Sequence, residues 1–209
     1  MLGTELDPAS VECAEPCQDA LRFHRDNFDG QVGHWWDTVG ALVTRYSDCR
    51  LCSEVGRECS AVNSKPSFHI GIICPSCRPF SSLRQSGNAP KPDNHKDFSI
   101  TFGLEDSAVS AAKILQPDAL LVEEVSGFAL LKDSQGQTGL ERLVGELMQA
   151  KRDDGSPLFA SWVAIEQSAD KFLEASRPRL YILFLSDRLG GTKGCEEWAT
   201  LIQDDQVIC

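Results

Sequence analysis

The 209-residue chain has no run of about 18 apolar residues, so no conventional membrane-spanning helix is expected. Residues 1–16, MLGTELDPASVECAEP, have neither a basic opening nor an apolar stretch and do not read as a signal peptide. Positive charge is scarce too. Twenty Lys and Arg stand against 31 Asp and Glu, a net charge of -11, which argues against a large basic surface for gripping nucleic acid. The nine cysteines are odd in number and form no compact secreted framework. They are expected to be reduced thiols of an intracellular protein, nuclear or cytoplasmic. There is no internal repeat and no low-complexity tract.

What is present is ordinary for a globular chain: 42% hydrophobic and 24% charged residues, enough for one sizeable core over residues 1–209. Ser10–Ala14 predicts a short strand, and Glu15-Pro16 opens a helix running to Asn27-Phe28. Trp35, Trp36, Val39, Leu42, Val43 and Tyr46 fall at helical spacing and predict a second helix. Residues 48–66 are polar, irregular and cysteine-bearing, and read as an insertion. Phe68–Ile73 predicts a buried strand ending in a Pro-, Ser- and Cys-rich turn, and a long loop follows over 82–98. A helix is expected over Glu105–Leu115, a strand over Ala119–Glu123 and an amphipathic helix over Gly139–Lys151. Strands are expected over Leu158–Ile165 and Leu180–Leu185, then a tail, 188–209, with a short helix around Cys195–Ile202. Apolar strands alternating with helices predict an α/β fold: a mostly parallel sheet covered on both faces.

Three constellations could carry chemistry. Cys49-x-x-Cys52 and Cys74-x-x-Cys77 form a CxxC…CxxC pattern that could hold zinc as four thiolates. However, Cys74 and Cys77 follow a strong strand, where zinc knuckles are unusual. The favoured reading makes Cys49, Cys52 and Cys59 free thiols and assigns no metal ligands. Cys77, at the carboxyl end of a parallel strand, is placed as a nucleophile or as a structural thiol. Glu123 ends the next strand and either faces the same rim, as a proton donor, or is a solvated acid. Arg177 and Arg179, at i and i+2, either fix an anion or a base edge or form a charged strand entrance.

The order of these features resembles the DNA/RNA (cytosine-5) methyltransferase family over roughly residues 10–187. CPSCRPFSSL is similar to the family's Pro-Cys-Gln-Pro-Phe-Ser loop, with Ser76 for the Pro and Arg78 for the Gln. QPDALLVEEVSGF is similar to its Glu-Asn-Val strand end, with Glu124 for the Asn. SWVAIEQSADKFLEASRPRLYILFL is similar to the segment ending in Gln-x-Arg-x-Arg, with Ala175 for the Gln. AEPCQDALRFHRDNF is similar to the helix whose acid holds the cofactor ribose.

The resemblance implies a Rossmann-like S-adenosylmethionine-dependent methyltransferase fold, incomplete at the N-terminus. It implies methyl transfer from S-adenosyl-L-methionine to C5 of cytosine through a covalent Cys–C6 adduct. Cys77 would be the nucleophile, Glu123 the acid, Arg177 and Arg179 the orienting cations, and Glu15 and Pro79 cofactor contacts, with 82–98 as the catalytic loop. The implied partner is DNA, or RNA as in a tRNA methyltransferase, bound after base flipping, with a complementary methyltransferase or partner subunit as a further expectation. The family's Phe-x-Gly-x-Gly loop is absent, and about two dozen residues follow Leu185, too few for a target-recognition region. The rival reading is a non-catalytic, zinc-stabilised interaction module.

Overall fold

The computed structural model describes residues 12–14, 17–28, 33–62, 69–81, 91–103, 107–168 and 178–203. In place of one domain, the chain forms two compact units, 1–66 and 67–209.

In the first unit, β1 (Glu12–Ala14) pairs in parallel with β2 (His34–Trp36), and α1 (Gln18–Phe28) lies between them in the chain. The helix expected around the tryptophans is a correction. Thr38 Oγ1 accepts the Ala41 N–H at 3.0 Å and caps α2 (Val39–Thr44), so no helix extends back to Trp35 and Trp36. Both tryptophans are buried in β2, and Tyr46 beyond the helix is exposed. Glu12 of β1 takes a hydrogen bond from Arg45 Nη2 at 2.7 Å and one from Trp36 Nε1 at 3.3 Å. The unit ends on α3 (Arg50–Glu54) and a turn through Cys59–Val62. Residues 48–62, expected as part of an insertion, contribute α3 and this turn to the first unit.

In the second unit, β3 (Ile70–Ile73), β4 (Ala119–Glu124), β5 (Ser161–Ser168) and β6 (Pro178–Leu185) form one sheet in the order β3-β4-β6-β5. β3 and β4 are parallel, while β6 runs antiparallel to both β4 and β5. The sheet is mixed, where a mostly parallel one was expected. The physical reason lies in the link between β5 and β6, which is only residues 169–177. A parallel return needs a crossover of about a dozen residues or more. β3, expected to be a buried strand, is the outer strand of the described sheet, with Ile70 and Ile72 exposed.

Alternation along the strands sends side chains to two faces. Leu120 and Val122 of β4 and Leu180, Ile182 and Phe184 of β6 join the core built with α5 (Ala108–Leu115) and α7 (Gly139–Met148). Leu121, Leu183 and Leu185 face the other way, towards Cys195 and Trp198 of α8 (Gly191–Gln203). The expected amphipathic helix is α7. It starts at a capping box in which Thr138 and Glu141 satisfy each other's backbone N–H groups. Most of the tail expected after Leu185 is α8, a structural helix of this sheet.

Candidate functional site

β3 and β4 are adjacent and parallel, so their carboxyl ends share a rim. The last register pair is Ile73↔Val122, and Cys74 and Glu123 come next on each strand. Burial pushes the Cys74 thiol up from its ordinary value, and a hydrogen bond to the Glu123 carboxylate and the charges of Glu123 and Glu124 push it further. Cys74, an exposed residue, thus sits beside Glu123 at the rim. Sequence reasoning assigned Cys74 only to a metal alternative. Its place three residues before Cys77, directly after the strand, was the available signal.

Cys77 is half-buried at the head of a short 3-10 turn, Arg78–Phe80, closed by the Phe80 N–H donating to the Cys77 carbonyl at 3.0 Å. Two anchors set this turn. Phe80 is buried edge-on against Phe128, with ring centroids 4.7 Å apart. On the other side Asp97 takes a hydrogen bond from Ser76 Oγ at 3.1 Å and pairs with Arg78 at 3.6 Å. The two residues that depart from the family-like loop, Ser76 and Arg78, thus share one acid. Asp97 precedes α4 (Phe98–Phe102), where the expected catalytic loop ends; 82–90 of that loop lie outside the described residues.

Glu123 is half-buried, and Arg179 Nε lies 2.6 Å from its Oε1. The register explains the contact. Glu123 lies opposite Tyr181, so Arg179 is its diagonal neighbour on the same face of β6. Glu124 points to the opposite, core face and is fully buried. Burial pushes its carboxyl up to about 8, assisted by the charge of Glu123 and opposed by the Val125 N–H and by Arg179. The structure therefore brings Glu123 and Arg179 together and puts them on a rim with the Cys77 turn. Arg177 and Glu15 lie outside the described residues. Pro79 is buried in the turn and has no N–H to donate. Pro79 alone cannot hold S-adenosylmethionine, so no step below is routed through it.

A second constellation lies in the first unit. His34 of β2, Cys49 before α3, Cys52 within it and Cys59 in the following turn are all buried, and their ligand atoms lie within 4.8 Å of one another. Sequence reasoning read these three cysteines as free thiols in an insertion and did not single out His34. The overlooked signal was Cys59, which extends the Cys49-x-x-Cys52 knuckle to a third thiol. Nothing in the local pattern marked His34, which reaches the knuckle through the packing of α3 against β2. Cys74 and Cys77 do not belong to this cluster.

No protein-family model matches the chain, and no curated protein does. Among solved structures it is similar to the Dnmt2 methyltransferase of S. pombe, at 15% identity and a TM-score of 0.40, covering 83% of this chain and 40% of that one. It is also similar to a candidate DNA modification methyltransferase encoded within a prophage of E. coli, at 16% identity and a TM-score of 0.48. That match covers 90% of this chain and 44% of the other. The chain thus spans less than half the length of either protein it is similar to.

Proposed function

We propose that the second unit carries the base-binding and covalent half of a nucleic-acid cytosine-5 methyltransferase site. DNA is the first substrate class and RNA the second. The observation that carries this reading is the Glu123–Arg179 pair on the same strand-end rim as the Cys77 turn, in the motif order that resembles that family.

The chemistry asked of these residues is an addition. The Cys77 sulfur, as thiolate, bonds to C6 of a flipped-out cytosine, and the C5=C6 electron pair moves towards C5. The negative charge that develops on the ring is neutralised by a proton shared between N3 and the Glu123 carboxyl. The proton released by the Cys77 thiol balances the one taken up there, so the adduct forms without net change of charge. Arg179 fixes the Glu123 rotamer through its fork of donors, and Arg177 is proposed as a second orienting cation. S-Adenosylmethionine, where bound, supplies the methyl group. With C5 substituted, water would take the C5 proton, the pair from that C–H bond would re-form C5=C6, and the C6–S pair would leave on Cys77 as thiolate.

Two measurements on the full chain test this. The first is exchange of tritium from C5 of cytosine in an oligonucleotide, which requires addition of Cys77 at C6, uptake of a solvent proton at C5, loss of the tritium to water and expulsion of the thiolate, and needs no methyl donor. The second is a stable adduct with an oligonucleotide containing 5-fluorocytosine in the presence of S-adenosylmethionine. The expected result is exchange and adduct with the parent chain and with Cys74→Ser, and neither with Cys77→Ser. A folded chain that shows neither on DNA or RNA would sink the proposal.

A further inference from the structure

We propose that His34, Cys49, Cys52 and Cys59 bind one zinc ion in a closed Cys3His site that holds the first unit together, independently of the reaction proposed above. His34 Nδ1 lies 3.4 Å from Cys59 Sγ, 3.5 Å from Cys49 Sγ and 3.8 Å from Cys52 Sγ. A ring nitrogen has either one lone pair or one proton to offer, so it satisfies at most one of three thiols. Three sulfurs crowded about a single nitrogen are explained by a common centre.

The distances fit such a centre. With Zn–N of about 2.0–2.1 Å and Zn–S of about 2.3 Å, the N···S edge of a tetrahedron is about 3.6 Å. The three observed separations bracket that value. Disulfides are a poor alternative: all three cysteines are free thiols, and pairing any two would leave the third beside the histidine. Three thiolates and an imidazole in a buried tetrahedral set favour zinc over the hard, oxygen-seeking cations. All four positions are filled by the chain, so the site is structural and not catalytic.

The surroundings suit bound thiolates. Arg57 Nε donates to Cys52 Sγ at 3.2 Å, and its Nη2 donates to the Gly33 carbonyl at 3.2 Å, next to the ligand His34. The Cys52 N–H donates to Cys49 Sγ at 3.5 Å. Asp48 accepts the Cys59 N–H at 3.2 Å and so fixes the third thiol. Zinc with three thiolates and one neutral imidazole carries one net negative charge, which Arg57 offsets. The ligands come from β2, from the start of α3 and from the turn beyond it, so one ion ties these three segments together. Among the described residues of this unit the buried apolar side chains besides the cysteines are Leu21, Trp35, Trp36, Leu42 and Ala61, a small core of the kind that commonly requires a metal.

The test uses the full chain, expressed with zinc and dialysed. Elemental analysis is expected to find one zinc per chain. Cobalt(II) substitution is expected to give tetrahedral visible bands and a thiolate-to-cobalt charge-transfer band. Cys59→Ser and His34→Ala lose the metal, and Arg57→Ala binds it about tenfold more weakly. Cys74→Ser and Cys77→Ser each retain one full equivalent. Because a serine variant could simply fail to fold, Cys59→His is included. It keeps a ligand at that position, so it should bind cobalt with a charge-transfer band reduced by one thiolate. A folded parent chain without zinc would overturn the site, as would zinc retained by Cys59→Ser but lost from Cys74→Ser or Cys77→Ser.

Discussion

Glu124 occupies a place in β4 that would suit a hydrophobic side chain. It follows Leu120 and Val122 on the core face, one of its oxygens has no hydrogen-bond partner, and the other accepts only the Val125 N–H. Folding therefore favours the neutral acid, and burial raises the carboxyl from 4.5 to about 8. Between those values the folded chain holds a proton that the unfolded chain has released. Stability is thus fully present below the unfolded value and falls as pH rises through the window, by roughly 1.4 kcal/mol per pH unit and about 3–5 kcal/mol in all. Glu123, Arg179 and Cys74 face the same strand end, so the slope belongs to the group as a whole. Glu124→Gln is expected to flatten it: near parity with the parent at pH 5 and about 3 kcal/mol more stable at pH 9 by urea denaturation. Parallel pH profiles for the two proteins would refute this account. Glu124 was legible in the sequence only as a departure from a motif. That it is buried depends on which face of β4 meets the core, and the run ALLVE is apolar on both faces.

At the scale of elements, the Cys77 turn is held by the start of α6 (Gly127–Leu130). A Cβ on Gly127 would clash with the Phe80 carbonyl oxygen, so only glycine allows this close approach. Gly127→Ala is expected to cost about 3 kcal/mol through overpacking and to displace the turn. Urea denaturation should show the loss, and faster maleimide labelling of Cys77 should show the displacement. Gly145→Ala is the contrast. It lies within α7 with open space where the methyl would go, so a gain of roughly 0.5–1 kcal/mol is expected from helix propensity. Equal effects of the two substitutions would show that the Phe80 contact does not matter. The sequence signalled this pairing in part. The glycine after Glu-Glu-Val-Ser and the phenylalanine after Arg-Pro are both visible, but their contact spans 47 residues and needs β3 and β4 side by side.

At the scale of the whole molecule, the chain divides its resources between two units of different character. Residues 67–209 have a two-sided sheet with helices over each face and a continuous apolar core. Among the described residues of 1–66, few apolar side chains are buried, and the His34, Cys49, Cys52 and Cys59 cluster lies there. Removal of metal should therefore act on one unit only. With a strong chelator, limited proteolysis of the full chain is expected to cut within 1–66 and leave a resistant fragment from 67–209. With zinc restored, both are expected to resist. Digestion spread evenly over both units under chelation would contradict this division.

The sequence alone determined the α/β class and most of the helices and strands of the second unit, and it singled out Cys77, Glu123 and Arg179 as candidates. These are local signals: apolar runs, caps and short motifs whose spacing is fixed along the chain. Only the tertiary structure decided the antiparallel placement of β6, the split into two units, the burial of Glu124 and the meeting of His34 with three cysteines. Each of these depends on which distant segments pair and which face each presents, and a one-dimensional pattern does not carry that information. His34 is the clearest case. It lies 15 residues before Cys49 and 25 before Cys59, with no periodicity linking them, and only the parallel pairing of β1 with β2 and the fold of α3 against β2 bring four ligand atoms to one point.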